Sequence, residues 1–182
     1  MIFTLIAFLV YTVYLFVENI LIINKKAYVD GKTKLYNKAR WDMYLKEDIP
    51  EDEIIGIIML DLNGLKHTND TYGHKMGDKM IVKFAEILRN TFLSSEFLCR
   101  WGGDEFTVVV RDANTEKIER YLSAIRTLTN SYNSTEEYPK IYFAGGYVLS
   151  TEFPKLSRGE LLAKADERMY KDKKEWYKNH KL

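Results

Sequence analysis

The sequence predicts an α+β domain, a mixed and mainly antiparallel sheet with helices packed on it, preceded by one N-terminal transmembrane helix. Three observations carry this expectation. Residues 1–23, MIFTLIAFLVYTVYLFVENILII, form an apolar run with no charge before Glu18. The run Ile54 to Leu60, IIGIIML, is short, continuous and apolar, as a buried central strand is. Two further β-prone runs, Phe97-Leu98 and Thr107 to Val110, flank a Gly-rich turn and read as a hairpin.

Taken in chain order, the first segment is long enough to span a bilayer, which needs about 20 mostly apolar residues. It has no polar face before Glu18, no basic leader and no small-residue cleavage site, so a buried soluble helix and a signal peptide both fit less well. Lys25 and Lys26 follow it, and the excess of positive charge places the rest of the chain on the cytoplasmic side. The expectation is a single-pass protein of the inner (cytoplasmic) membrane. Residues 24–30 read as a juxtamembrane linker helix and 31–182 as one domain, with no length left in these 182 residues for a separate sensor domain. Charge is nearly balanced, with 27 Lys+Arg against 26 Asp+Glu, so a nucleic-acid partner is not indicated. The single cysteine, Cys99, excludes an intramolecular disulfide and reads as a small buried hydrophobe.

Asp30 to Asn37 is turn-rich, and Asn37 can cap a helix running to about Asp48 with Trp41, Tyr44 and Leu45 on its apolar face. The strand Ile54 to Leu60 ends in Asp61, a carboxylate at the C-terminal end of a central strand. A helix to about Asn90 follows, with Ile81, Phe84, Ala85 and Leu88 on its core face. Residues Ala113 to Ser131 form the next helix, with Ile118, Tyr121, Leu122, Ile125 and Leu128 on its buried stripe. A polar loop from Asn130 to Pro139 leads to a strand over Lys140 to Leu149. The last helix includes Leu161 to Lys173.

The candidate chemistry centres on Arg100-Trp101-Gly102-Gly103-Asp104-Glu105-Phe106. Adjacent carboxylates at a hairpin tip repel each other, and a hard cation bound by oxygen would relieve the repulsion. The glycines let a nucleotide approach the backbone. The same residues also read as an ordinary turn with a solvated Glu. Asn69 and Asp78 offer an amide and a carboxylate, and a carboxylate can accept from both N1–H and the N2 amino group of guanine, a pair adenine lacks. Asp78 reads equally as an N-cap or first-turn acid, and His74 as a structural histidine or a ligand contact. Lys164 and Arg168, four apart, share one helix face and fit either a phosphate clamp or a solvated face.

These motifs together resemble the GGDEF family, the diguanylate cyclases. The hairpin carries the family signature. From Asp61 to Asp78, the positions Asp61, Lys66, Asn69, Asp70, Gly73, His74, Gly77 and Asp78 fall in register with the family's pattern, while Asn63 stands for a second Asp and Leu65 for Phe. Asp30, Thr33, Leu35 and Asn37 match the element at the family's domain start, where Lys32 and Lys34 replace the usual Leu and Gly. Ala144 takes a Ser position, and Lys164 to Lys173 resembles the closing helix. The resemblance covers about Asp30 to Lys173. It implies a ferredoxin-like palm of the nucleotidyl cyclase kind and the condensation of two GTP into cyclic di-GMP. Asp61, the Leu62 carbonyl, Asp104 and Glu105 would hold Mg2+ (or Mn2+), with Asp104 and Glu105 as the catalytic pair and Glu105 either a ligand or a proton acceptor. Lys66, Lys164 and Arg168 would hold phosphates. Asn69, Asp78 and His74 would take the base. One GTP per domain requires a homodimer. Many members carry Arg-x-x-Asp before the hairpin as a product-binding inhibitory site. Here the tetrad is Leu93-Ser94-Ser95-Glu96, and that site is expected to be absent or weakened. A degenerate nucleotide-binding sensor and a membrane-tethered interaction module remain as alternatives.

Overall fold

The computed structural model describes residues 2–50, 52–135 and 138–180. Met1, Glu51, Glu136, Glu137 and the last two residues, all inside the ranges assigned from sequence, lie outside the described residues.

Helix α1, Ile2–Tyr28, runs through the apolar segment and on into the expected linker. At 1.5 Å per residue it is about 40 Å long, against a hydrocarbon core of about 30 Å. Its apolar side chains are exposed over the whole spanning stretch, with no face packed on the domain. The polar side chains Thr12 and Asn19 donate back to the Leu9 and Leu15 carbonyls, so neither group needs water. It is one helix long and apolar enough to cross a membrane.

The domain is built on one sheet of five strands in the order β1-β3-β4-β2-β5. These are β1 Tyr36–Asn37, β2 Ile55–Asn63, β3 Phe97–Arg100, β4 Glu105–Arg111 and β5 Tyr142–Leu149. Only β1 against β3 is parallel. The sheet is therefore mixed and mainly antiparallel, as its sequence pattern requires. β2 is buried along its whole length because it lies second from one edge with helices on both faces. Alternation divides its residues between two cores. Ile58, Leu60 and Leu62 pack with Met80, Phe84 and Leu88 of helix α4 and Ile118 and Ile125 of helix α5. Ile55, Ile57 and Met59 pack with Leu161, Ala165 and Met169 of helix α6 and with Trp41 of helix α2.

The helices are α2 Lys38–Met43, α3 Leu65–Tyr72, α4 His74–Thr91, α5 Thr115–Asn133 and α6 Arg158–Asn179. Asn37 caps α2 as expected, accepting from the Arg40 amide at 3.1 Å. The predicted single helix to Asp48 instead ends in a π-helical turn over Tyr44–Asp48. In α5 the buried stripe ends on Thr129, and Leu128 is 38% exposed rather than buried. Thr129 tolerates that position because its hydroxyl donates to the Ile125 carbonyl at 2.9 Å. Cys99 is fully buried, and burial pushes its thiol up to about 12, so it behaves as an inert core residue.

Candidate active site

The acids are brought together by strand register. Asp61 and Glu105 are direct partners across the antiparallel β2–β4 pair, so their side chains leave the same face. Asp104 precedes them at the hairpin tip, and its carbonyl accepts from the Leu62 amide at 3.0 Å, which stitches the tip to the end of β2. Asp61 is 3% exposed. Burial first, then the charges of Asp104 and Glu105, push its carboxyl up to about 6, against the opposing hydrogen bond from Lys173. Glu105 is also raised, by burial and then by Asp104 and Asp166. The Lys173 ammonium from α6 lies 2.7 Å from Asp61 Oδ1.

This donor set fits a divalent hard cation. All its groups are oxygens, their charges are mutually unfavourable, and a positive group already sits against the most buried acid. Among the described residues no three His, Cys, Asp or Glu side chains form a ready-made cage. Magnesium does not need one, because it is commonly held by one or two carboxylates with substrate phosphates and water completing the shell.

The tip itself is braced. Arg100 donates to the Gly102 carbonyl at 3.1 Å and the Gly103 carbonyl at 2.8 Å, and pairs with Asp30 at 3.2 Å. A Cβ on Gly102 would stand 2.7 Å from Glu105 Oε2, so a side chain there would displace the acid. Trp101 packs edge-on against Trp41 at 5.6 Å, fixing the hairpin to α2.

The second group of expected residues gathers where α3 meets α4. Asn69 packs against Gly77, where a Cβ would lie 2.0 Å from Asn69 Oδ1, and Asp78 follows directly. Asp78 neither caps a helix nor lies in a first turn, because α4 starts earlier, at His74 behind Gly73. That leaves its carboxylate free of a capping duty, and it pairs instead with Lys32. Lys66 and His74 are exposed on the same α3–α4 unit.

Lys164 and Arg168 are not brought to the acids. Arg168 forms a bidentate pair with Glu152 at 2.7 and 3.1 Å and donates to the Tyr147 carbonyl at 2.7 Å. Lys164 pairs with Glu167 along the helix at 3.1 Å. The reason is the direction of α6. Arg168 meets β5 at Tyr147, Asp172 accepts from the Gly145 amide at 2.8 Å, and Lys173 reaches Asp61. Lys164 is therefore about 13 Å along the axis from Lys173. Lys173, and Tyr177, whose hydroxyl accepts from the Gly64 amide at 3.2 Å, are the α6 residues at this end. The sequence analysis did not single out either residue, although Lys173 is the closing Lys of the motif that marked the helix. Asn63, two positions past Asp61 on β2, has both side-chain polar atoms buried without a hydrogen-bond partner among the described residues. A cavity of about 690 Å3 lies at the opposite end of β2, near Ile55, Phe153 and Arg158, and contains none of the expected site residues.

The chain was compared with known proteins. The family profile described as diguanylate cyclase, GGDEF domain, matches residues 27–179. Diguanylate cyclase DgcS of Shewanella oneidensis is 32% identical over 117 residues, 62% of this chain and 39% of that protein. An uncharacterized membrane protein of Staphylococcus haemolyticus, SH2145, is 33% identical over 102 residues, 54% of this chain and 29% of that protein. The chain spans only 21% to 40% of the length of such curated relatives. The coiled coil and GGDEF domain of DgcB from Caulobacter crescentus, solved in complex with c-di-GMP, superposes with a TM-score of 0.83 over 93% of both chains, at 24% identity. With the hairpin signature, the mixed sheet and this coverage in agreement, the chain belongs to the GGDEF domain family of diguanylate cyclases.

Proposed function

We propose that this protein is a membrane-anchored diguanylate cyclase that condenses two GTP molecules into cyclic di-GMP, with Mg2+ (or Mn2+), at a homodimer interface. The observation that carries the reading is the convergence of Asp61, Asp104 and Glu105 at one end of the sheet, with Lys173 against them. In each half-reaction the 3′-hydroxyl oxygen of one GTP bonds to the α-phosphorus of the other. The bond from that phosphorus to the β-phosphate bridging oxygen breaks, and pyrophosphate leaves with the electron pair. Asp61, the Leu62 carbonyl and Asp104 would hold the metal, and a metal bound there supplies neutralisation of the triphosphate and a more acidic hydroxyl. Glu105, held above its usual range by burial and Asp104, suits acceptance of the hydroxyl proton. Lys173 and Lys66 supply positive charge for phosphates. Asn69 and Asp78 read the guanine edge, and His74 closes the same corner. One base corner and one acidic cluster per domain support a two-fold pair of domains facing each other. Helix α1 anchors the protein in the inner membrane, with Lys25 and Lys26 setting the domain in the cytoplasm.

The test is incubation of the full chain in lipid nanodiscs with GTP and magnesium, followed by product analysis. Cyclic di-GMP and pyrophosphate are expected, and Asp61→Ala or Asp104→Ala should each abolish turnover with the fold intact. Near wild-type turnover in either variant overturns the metal assignment. Asp78→Ser should weaken GTP binding about tenfold or more, the worth of one charged hydrogen bond. Equal use of ATP and GTP by the wild type counts against the base site. A second reading, a nucleotide sensor without turnover, draws on Lys32, Lys34 and Asn63, and would show tight GTP binding and no product.

A further inference from the structure

Lys32 and Asp78 are 46 residues apart and meet as an ion pair across the mouth of the α3–α4 corner. The turn that carries Lys32 is held from several sides. The Thr33 amide and hydroxyl both donate to Asp30 Oδ1 at 2.7 Å. Asp30 is paired with Arg100 of the hairpin, and Arg89 of α4 donates to the Thr33 carbonyl. The position of the Lys32 backbone beside α4 is therefore built into the fold. Both side chains stay partly open to solvent, at 36% for Lys32 and 50% for Asp78.

A carboxylate has about four lone-pair positions and a guanine edge uses two of them. Lys32 occupies one more on Oδ1, so a base can bind Asp78 without evicting the ammonium. Next to N1 on the purine edge is position 6, which is an acceptor oxygen in guanine and a donor amino group in adenine. An ammonium has donors only. We infer that Lys32 is a specificity-determining residue of this site: its ammonium donates to the O6 oxygen of a purine whose N1–H and N2 amino groups are held by Asp78, selecting a 6-oxo over a 6-amino nucleotide. The inference rests on the guanine-binding reading of Asn69 and Asp78. Discrimination follows because a 6-amino base would set its own donor against the ammonium and leave that donor unpaired.

The experiment measures equilibrium binding to the full chain in detergent micelles. The probes are the α,β-methylene triphosphates of guanosine, inosine, 6-thioguanosine and adenosine, which cannot react at the α–β bridge. Wild type should bind the guanosine probe about tenfold tighter than the 6-thioguanosine probe, whose sulfur is a weak acceptor. Lys32→Met should lose about tenfold for guanosine and bind the two probes alike, while Lys32→Arg keeps the gap. Thermal melts of both variants check that the exposed substitution leaves the fold intact. Unchanged or tighter guanosine binding by Lys32→Met overturns the inference and makes Lys32 a counter-ion only. The inosine probe, which lacks the N2 amino group and keeps O6, reports on the carboxylate contact, and Asp78→Asn removes that contact together with the Lys32 ion pair. If both retain full affinity, the guanine reading itself fails. If both lose affinity while Lys32→Met does not, only the role of Lys32 fails.

Discussion

Replacing Asp61 with Asn should stabilise the protein when divalent cations are absent, although it removes the acid on which turnover is proposed to depend. The carboxyl ionises at about 6 in the folded chain against 3.8 in an ordinary setting, a shift that already includes the opposing pull of Lys173. Between those values the folded chain holds a proton that the unfolded chain has released. Stability therefore falls as pH rises through this window, and the full cost is present above it. Two pH units correspond to about 3 kcal/mol, the upper bound on what a neutral isostere recovers. The assay is chemical denaturation of full-length wild type and Asp61→Asn in detergent with chelator, from acid to mildly alkaline pH. The two should coincide below about pH 3 and separate as pH rises, with the variant ahead by up to about 3 kcal/mol above pH 7. Saturating magnesium should then raise the wild type and leave the variant unmoved, since only a state that binds ligand gains by mass action. If Asp61→Asn is the less stable protein at pH 8 with chelator present, the site is not the strained acidic cluster derived from the register.

Lys34 holds φ at 61°, the left-handed region where the family places Gly. Lys34→Gly should raise stability by about 1 kcal/mol, read as a denaturation midpoint, and no gain would mean that the turn compensates locally. Gly77→Ala would force a methyl to within 2.0 Å of Asn69 Oδ1. It should cost about 1–3 kcal/mol and weaken GTP binding in the same variant, whereas a stability loss with unchanged affinity would separate Asn69 from the base site. Added cyclic di-GMP should not inhibit initial rates at low micromolar levels, and Leu93→Arg alone should not restore inhibition. Leu93 is 62% exposed, but Glu96 is buried and already bonded to the Arg111 amide at 2.9 Å and Lys117 at 3.0 Å, so strong inhibition of the wild type would require a second product surface.

What the sequence made legible was what periodicity and local spacing encode. The continuous apolar run of β2 and the hairpin around Gly102-Gly103 put each acid on its element, while their coming together across the β2–β4 pair was implied only by the family resemblance and is seen in the register. Asn69 and Asp78 were picked out by their side-chain chemistry and the family pattern, and the structure sets them on one helix–helix corner. The helix after Asp61 was expected to begin near Asp78, yet Gly73 breaks the chain earlier and α4 starts at His74. The π-helical turn at Tyr44–Asp48 shifts a helix by one residue and leaves no periodic trace. Contacts between distant segments were not legible at all, and the pairing of Lys32 with Asp78 is one of them.

The closing helix shows most directly where spacing stops being informative. Lys164 and Arg168 at i and i+4 do share a face, as the helical repeat demands. That fact fixes their azimuth and says nothing about which end of the sheet they reach. The end is decided by the connection from β5. A short 3-10 turn at Ser150–Glu152 and the capping box of Ser157 and Glu160 start α6 at the end of the sheet remote from Asp61. The helix then runs about two thirds of its length before it sets a basic residue on Asp61, although Asp166 already acts on Glu105. Arg168 passes Tyr147 and is captured by Glu152, and Lys173 is the first basic residue to touch Asp61. A cation's place on a helix face and its place along the helix axis are thus separate facts, and the second depends on tertiary packing.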